Sequence, residues 1–148
     1  MTAEKYLEQY KQSVNTIRRL ERELNEEQLQ IDSVRSPSDN DGMPHGFGIS
    51  NPTADKAVNI VEAVSRLYDA RREAIRVRQE VFDTIMLLDG LEVDVLLERY
   101  VYLTEDGRLK TWEQVCQKVN YSWPPVRLAW HRGLDHIQQI IDTRSYNI

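Results

Sequence analysis

The segment from Thr111 to Leu134 predicts two helices joined by a tight turn. Thr111 and Gln114 have the spacing of a capping box, which begins a short helix. Asn120 falls at the turn, where the backbone often becomes left-handed, and asparagine is the best non-glycine residue for that conformation. The second helix places Val126, Ala129, Gly133 and Leu134 inside, and the small residues at 129 and 133 permit close helix contact. Such a helix-turn-helix can lay its second helix in the major groove of DNA, although most helix pairs of this kind are only packing units.

Two prolines stand where the second helix of this motif begins. Ser122 would normally cap that helix by accepting a hydrogen bond from an amide two or three residues on. Those residues are Pro124 and Pro125, which have no N–H. Because a residue that precedes proline avoids helical angles, we expect the regular helix to begin at Pro125. Its start then offers few amides to a phosphate, and side chains must supply more of the contacts.

Charge is distributed unevenly along the chain. The formal net charge is −5, which by itself argues mildly against a nucleic-acid partner. Between residues 107 and 134, however, one acid, Glu113, stands against five basic residues: Arg108, Lys110, Lys118, Arg127 and Arg132. A basic patch on an acidic body is the pattern that matters for DNA, and the acidic remainder would discourage nonspecific binding. The alternative is that these charges are merely a solvated face.

Residues 3 to about 35 predict one long helix. Its apolar side chains mostly recur at spacings of three and four, while its other faces are charged. A helix of this length, roughly 48 Å at 1.5 Å per residue, needs a partner to bury its apolar stripe. The stripe consists of Leu7, Tyr10, Val14, Ile17, Leu20, Leu24, Ile31 and Val34.

A second long helix is predicted from about residue 53 to 88, after a flexible connection at about 36–52 that is rich in Pro, Gly, Ser, Asn and Asp. Its inner stripe is Ala57, Val58, Val61, Val64, Tyr68, Ile75, Phe82 and Ile85. Four arginines lie along this helix: Arg71, Arg72, Arg76 and Arg78. They could bind nucleic acid, but we expect them to pair with the acidic first helix instead. We expect Asp89-Gly90 to end this helix.

The predicted fold is therefore all-α, with a long antiparallel helical hairpin at residues 1–89 and a helix-turn-helix domain at residues 90–148. A third helix from about Glu92 to Tyr102 opens the second domain, and Asp106-Gly107 marks a turn before the motif. Because a two-helix hairpin has little interior, we expect it to pack on another copy of the chain, as a homodimer or a higher homo-oligomer.

Other classes of function find little support in the sequence. One cysteine permits no internal disulfide and fits a reducing cytoplasm, and no apolar run approaches the length of a membrane span. Histidines, cysteine and carboxylates form no catalytic or metal-binding pattern above chance, and His45, in the connection, has no second ligand at a suitable spacing. We therefore expect no enzymatic activity, no metal and no cofactor.

Residues 97 to 134 resemble the fourth region of bacterial primary sigma factors, and still more the phage proteins with a sigma-like C-terminal domain, such as the ArpU-type and RinA-type transcriptional regulators. The resemblance rests on five elements: Leu97-Glu98-Arg99-Tyr100, Thr111-Trp112-Glu113-Gln114-Val115, Asn120-Tyr121-Ser122, Val126 and Arg132-Gly133-Leu134. A long first helix, Ser36-Pro37-Ser38 and a second long helix extend it over nearly the whole chain. The chain departs from the pattern at Asn120, where glycine is usual, at Gly133, where alanine is usual, and at Pro124-Pro125.

The resemblance implies double-stranded DNA as the partner and a set of DNA-facing residues: Ser122, Trp123, Pro124, Arg127, Leu128 and His131. Arg127 is the candidate for a base contact, by the bidentate geometry that arginine makes with guanine. Phosphate contacts are expected from Arg132, Lys118, Lys110 and Arg108. Trp123 could stack on DNA or equally fill the junction between the helices, whereas Trp112 and Trp130 are read as core.

Two functions from different classes follow. The first is a sequence-specific transcriptional regulator of phage genes, late genes in particular, in the cytoplasm of a bacterial host, with contact to host RNA polymerase left open. The alternative is a helical assembly or packaging protein, such as a small-terminase-like DNA-recognition subunit, in which oligomerisation through the hairpin is the main task.

Overall fold

The computed structural model of the chain describes residues 1–35 and 52–147, and over these ranges the protein is helical without any strand. The helices are α1 (Ala3–Arg35), α2 (Pro52–Ile85), α3 (Leu91–Leu96), α4 (Trp112–Val119) and α5 (Trp123–Tyr146); a π-helical segment, Leu97–Val101, continues α3. The prediction of an all-α fold is confirmed. The predicted connection, with His45 and Ser36-Pro37-Ser38, lies outside the described residues except for Pro52, which begins α2.

The helix bounds follow the sequence pattern closely in α1 and less closely in α2. The predicted helix at 3–35 matches α1, but α2 ends at Ile85 rather than near Leu88. Tighter turns follow it, because the Leu87 N–H donates to the Thr84 carbonyl at 3.2 Å and the Leu88 N–H to the Ile85 carbonyl at 3.0 Å. Gly90, with φ of 61°, therefore precedes α3 instead of closing α2.

Backbone contacts divide the chain into two compact units: a core unit of residues 1–16 and 74–148, and a hairpin unit of residues 17–73. The interior of the core unit is formed by Ala3, Tyr6, Leu7, Val81, Ile85, Leu88, Leu96, Leu97, Tyr100, Val101 and Ile137. The start of α1 and the end of α2 thus share one apolar core with α3 and α5. This core crosses the boundary that the sequence suggested near residue 89.

A polar cluster closes the same core beside α5. The Tyr6 hydroxyl lies 2.8 Å from Thr84 Oγ1, and both are buried. Arg144 Nη1 donates to Thr84 Oγ1 at 3.0 Å and lies 3.9 Å from a Glu80 carboxylate oxygen. Buried hydroxyls that are paired in this way avoid the cost of an unsatisfied polar group, so the cluster ties α1, α2 and α5 together within the core unit.

In the hairpin unit, Ile17, Leu20 and Ile60 are buried, and Arg71 Nη2 lies 3.1 Å from a Glu21 carboxylate oxygen. This ion pair confirms the expected partner of Arg71 on α1. Two other arginines of this set contact carboxylates of their own helix: Arg72 lies 3.9 Å from Asp69 and Arg76 lies 3.1 Å from Glu80.

The expected inner stripe of α2 is wrong at three positions. Val58, Val61 and Tyr68 are exposed by 56%, 58% and 52%. The buried face of α2 instead passes through Ile60, with Leu67 half-buried two turns later. Apolar side chains therefore lie on two faces of this helix, and only one of them is covered within the chain as described.

A second apolar cluster joins α3, α4 and α5 in the core unit. Its buried members are Val95, Val115, Val126 and Ala129. At Gly133 a Cβ atom would meet Leu96 Cδ1 at 3.0 Å, which is closer than ordinary van der Waals contact. The expectation that small residues at 129 and 133 permit close helix contact is therefore confirmed, since the backbone of α5 passes directly over a buried leucine.

Candidate nucleic-acid interface

The first helix of the motif begins with the capping box that the sequence predicts. Thr111 Oγ1 accepts the Gln114 N–H at 3.3 Å, and the Gln114 side chain accepts the Thr111 N–H at 2.9 Å. Asn120 ends α4 in the left-handed conformation, with φ of 61° and ψ of 38°. Its N–H donates to the Cys116 carbonyl, as does the Tyr121 N–H at 3.3 Å. Both bonds are accepted by the same carbonyl, so the turn between α4 and α5 closes the end of α4 through local bonds to Cys116.

The start of α5 has no side-chain cap. Ser122 is the N-cap residue, and its side chain makes no capping bond, as expected from Pro124 and Pro125. The expectation that the helix begins at Pro125 is wrong, because α5 begins at Trp123. Prolines are tolerated in the first turn, where the backbone N–H has no partner within the helix and the fixed φ is already helical; the angular preference of the residue before proline is overcome here.

Aromatic side chains brace the junction between the two helices. The Trp112 ring lies 4.5 Å from the Trp130 ring and 5.3 Å from the Trp123 ring, centroid to centroid. Trp130 Nε1 donates to the Tyr100 hydroxyl at 3.1 Å, and the Arg99 guanidinium lies 4.6 Å from the centroid of the Trp112 ring. Trp112 and Trp130 are half-buried and pack against the core. Trp123 contacts the junction through Trp112 and is still 40% exposed.

Most of the residues proposed to face DNA lie on one exposed surface. Ser122, Trp123, Pro124, Arg127, Leu128, His131 and Arg132 are all exposed, and Lys118 is exposed on α4. At 3.6 residues per turn, Pro124, Leu128 and His131 lie opposite the buried side of α5, with Arg127 and Arg132 on either flank. We call these five residues of α5 the outer face. The basic side chains of the outer face, Arg127 and Arg132, form no ion pair with a carboxylate within residues 1–35 and 52–147, and neither does Lys118 on α4.

Lys110 is placed differently from the other candidates. Its ammonium pairs with Glu98 on the π-helical segment, and the side chain is only 13% exposed. It also lies 5.9 Å from the centroid of the Tyr102 ring. A phosphate could recruit Lys110 only by breaking this largely buried pair, which is costly because it leaves a carboxylate without its partner. Lys110 therefore serves the fold, whereas Arg108 is exposed.

Arg99 is a residue of this region that sequence reasoning did not single out. Its Nη1 donates to the Lys110 carbonyl, while its Nε is buried without a hydrogen-bond partner among the described residues. The π-helical register explains its position, since the Tyr102 N–H donates five residues back to the Leu97 carbonyl at 2.8 Å. This widened turn directs Arg99 and Glu98 toward the loop before α4.

Other polar groups of the core unit lie away from this surface. His136 is exposed, and its Nδ1 lies 2.7 Å from a Glu92 carboxylate oxygen. Both side chains line a cleft of about 790 Å³ with Leu87, Ile140 and Arg144 among its other walls. Burial raises the pKa of the Tyr100 phenol, and the bond from Trp130 opposes that shift. No group of three potential metal ligands occurs among the described side chains.

Comparisons with family models, with curated proteins and with solved structures return no match to this chain. The likeness to sigma-like regulators therefore rests on the motif residues quoted above. In the ranges that the structure describes, no helix combines the length and the apolar character needed to cross a lipid bilayer.

Proposed function

We propose that this protein is a sequence-specific DNA-binding regulator that uses α4 and α5 as a helix-turn-helix, with α5 in the major groove of double-stranded DNA. The observation that carries this proposal is the outer face of α5, where exposed basic side chains stand without ion-pair partners in the described chain. Elsewhere in the core unit, the charges of Lys110 and Arg144 are engaged with carboxylates. A rigid helix with free cations on its outward side is suited to a polyanion.

The supporting packing is of the kind that a reading helix requires. The buried side of α5 is held by Val126, Ala129 and Gly133 against α3 and α4. Because a close-packed scaffold fixes the orientation of the outward side chains, base contacts would need little reordering on binding. Arg127 is assigned to a base edge, and Lys118, Arg132 and Arg108 to phosphates. Lys110 is left out of the surface because its charge is already paired with Glu98.

The biological setting of the proposal is a phage regulator of gene expression in the cytoplasm of a bacterial host, as the resemblance implies. Self-association belongs to the same proposal. Val58, Val61 and Tyr68 form an exposed apolar stripe on α2, and their spacings of three and seven residues fit a helix-to-helix seam. Two copies joined there would present two α5 helices, so half-sites about one helical turn apart, or a multiple of it, are expected.

The exposed stripe also favours a second candidate, a helical assembly or packaging subunit that recognises DNA as part of a larger oligomer. A high-order ring in solution would support that function, whereas a dimer that protects spaced half-sites supports the regulator.

The test is selection of bound sites from a random duplex pool, followed by titration of Arg127→Ala on a selected site. We expect this variant to lose about 1–3 kcal/mol of specific binding and to relax base preference at one position. Arg19→Ala, an exposed arginine of the hairpin unit, is the matched control and should bind as the native chain does. Equal losses by Arg127→Ala on selected and random duplexes would show a phosphate contact instead.

A further inference from the structure

The outer face of α5 has an apolar centre as well as basic flanks. Leu128 is 51% exposed, and Pro124, one turn earlier, is exposed beside it. An exposed leucine alone needs no explanation. This one lies between Arg127 and Arg132, on a stretch from Trp123 to Leu134 that contains no acidic residue. An apolar surface that is flanked by basic side chains is suited to a ligand that carries an apolar group close to negative charges.

The start of α5 is also unsuited to holding a phosphate through its backbone. Pro124 and Pro125 occupy the second and third helical positions and have no N–H, and Ser122 makes no capping bond. The first turn therefore presents ring carbons and the Trp123 indole where a typical helix presents amide donors. Trp123 is braced by Trp112 at 5.3 Å between ring centroids, so this apolar surface is held in place.

Nearby carboxylates argue that Leu128 meets base edges rather than the DNA backbone. Asp89 and Glu92 line a shallow pocket together with Leu128 and Arg132. These carboxylates would repel a phosphate placed over Leu128 itself, while Arg132 on the same edge remains the group assigned to a phosphate of the flanking backbone. Arg127, the basic residue on the other flank, forms no ion pair with any carboxylate among the described residues.

Together these observations lead us to propose that Leu128, with Pro124 beside it, contacts the C5-methyl group of thymine, so that the site bound by this protein carries a thymine at a fixed place under α5. This inference rests on the proposed function, in which α5 lies in the major groove. The thymine methyl is the apolar group that base pairs display there; the other edge groups are hydrogen-bond donors and acceptors. Arg127, one residue away on the helix, would contact the neighbouring base pair.

The test replaces thymine by deoxyuridine, which removes the methyl group and keeps every hydrogen-bonding group of the base pair. One random duplex pool is amplified with thymidine triphosphate and a second with deoxyuridine triphosphate, and both are selected with the full chain. A selected duplex is then resynthesised with deoxyuridine at one thymine position at a time. We expect a loss of affinity of about fourfold at one or two positions, the value of one buried methyl group, and weaker enrichment from the deoxyuridine pool.

Two variants assign the effect to its side chain. Leu128→Ala should bind thymine and deoxyuridine duplexes equally, whereas Arg127→Ala should weaken both and leave their ratio unchanged. Leu87→Ala, another exposed leucine of the core unit, should keep the fourfold ratio. Because Leu87 and Leu128 are both exposed, neither change removes a buried side chain.

The outcomes separate this inference from the function on which it rests. If the chain binds a selected duplex specifically, but its affinity stays the same when any one thymine is replaced by deoxyuridine, the inference is overturned and the proposed function stands. A ratio that persists in Leu128→Ala also overturns it, since another group must then contact the methyl. No binding to any duplex at low salt, where attraction to phosphates is strongest, overturns the inference and the proposed function together.

Discussion

The two N-caps of the motif allow a stability prediction with a built-in comparison. On α4, Thr111 Oγ1 accepts the N–H of the residue three positions on, Gln114, at 3.3 Å. On α5 the corresponding residue after Ser122 is Pro125, which has no N–H, and Ser122 makes no capping bond. Thr111→Ala should therefore lower the free energy of unfolding by about 1 kcal/mol. Ser122→Ala removes no bond and should stay within about 0.5 kcal/mol of the native chain.

A double-mutant cycle turns this contrast into a measurement of the missing bond. Pro125→Ala returns an N–H to the third position of α5, and the Ser122 hydroxyl can then accept it with the geometry of Thr111. The loss of the proline restriction costs about 0.4–1 kcal/mol, which roughly offsets the new capping bond. Pro125→Ala alone should thus be nearly neutral. In the Pro125→Ala background, Ser122→Ala should lower the free energy of unfolding by about 1 kcal/mol. The native chain lacks this coupling between positions 122 and 125.

Urea unfolding of the full chain, followed by tryptophan fluorescence, is the assay, because the three tryptophans of the sequence all lie in α4 and α5. Ser65→Ala, at an exposed serine of α2, controls for the loss of a hydroxyl alone. If Ser122→Ala costs as much as Thr111→Ala in the native chain, or if the cycle shows no coupling, the reasoning about the prolines is refuted.

Three further predictions concern packing, ionisation and self-association. Leu96→Ala should cost about 2–5 kcal/mol in the same urea assay, because Leu96 is fully buried beneath Gly133, and a cost below about 1 kcal/mol would contradict the close contact. Burial raises the pKa of the Tyr100 phenol. The stability that the neutral phenol contributes is therefore fully present below its ordinary pKa near 10 and is lost as pH rises through the raised pKa. Tyr100→Phe should flatten the fall in the free energy of unfolding above about pH 10. Val61→Lys should shift the sedimentation distribution toward monomer, whereas Asn59→Lys, at an exposed residue on another side of α2, should leave it unchanged. If Val61→Lys also leaves the distribution unchanged, the exposed stripe of α2 is not the contact between copies.

The features that the sequence revealed are those encoded locally. The α1 bounds followed from apolar spacing, and the start of α4 from two residues of a capping box. The left-handed turn at Asn120 and the close contact at Gly133 followed in the same way, because each depends on what a single side chain permits.

The features that the sequence did not reveal depend on partners far along the chain or on a choice between similar faces. Valines and alanines lie around much of α2, so periodicity could not tell that Ile60 is buried and Val61 exposed. The pairing of Lys110 with Glu98 depends on a π-helical turn, for which the sequence carries no known spacing signal. Trp123 begins α5 because packing on Trp112 and the tolerance of the first helical turn for proline outweigh a local angular preference.

The central claim, that the outer face of α5 reads duplex DNA, is tested most directly by the salt dependence of binding to a selected duplex and to a scrambled duplex of equal length. The account predicts tighter binding to the selected duplex. It also predicts that the logarithm of the association constant falls linearly with the logarithm of the salt concentration, with a slope of about −0.9 for each phosphate contact. Lys118→Ala should reduce this slope by the amount of about one contact. Equal affinity for the two duplexes, or no binding to either at about 50 mM salt, would contradict it.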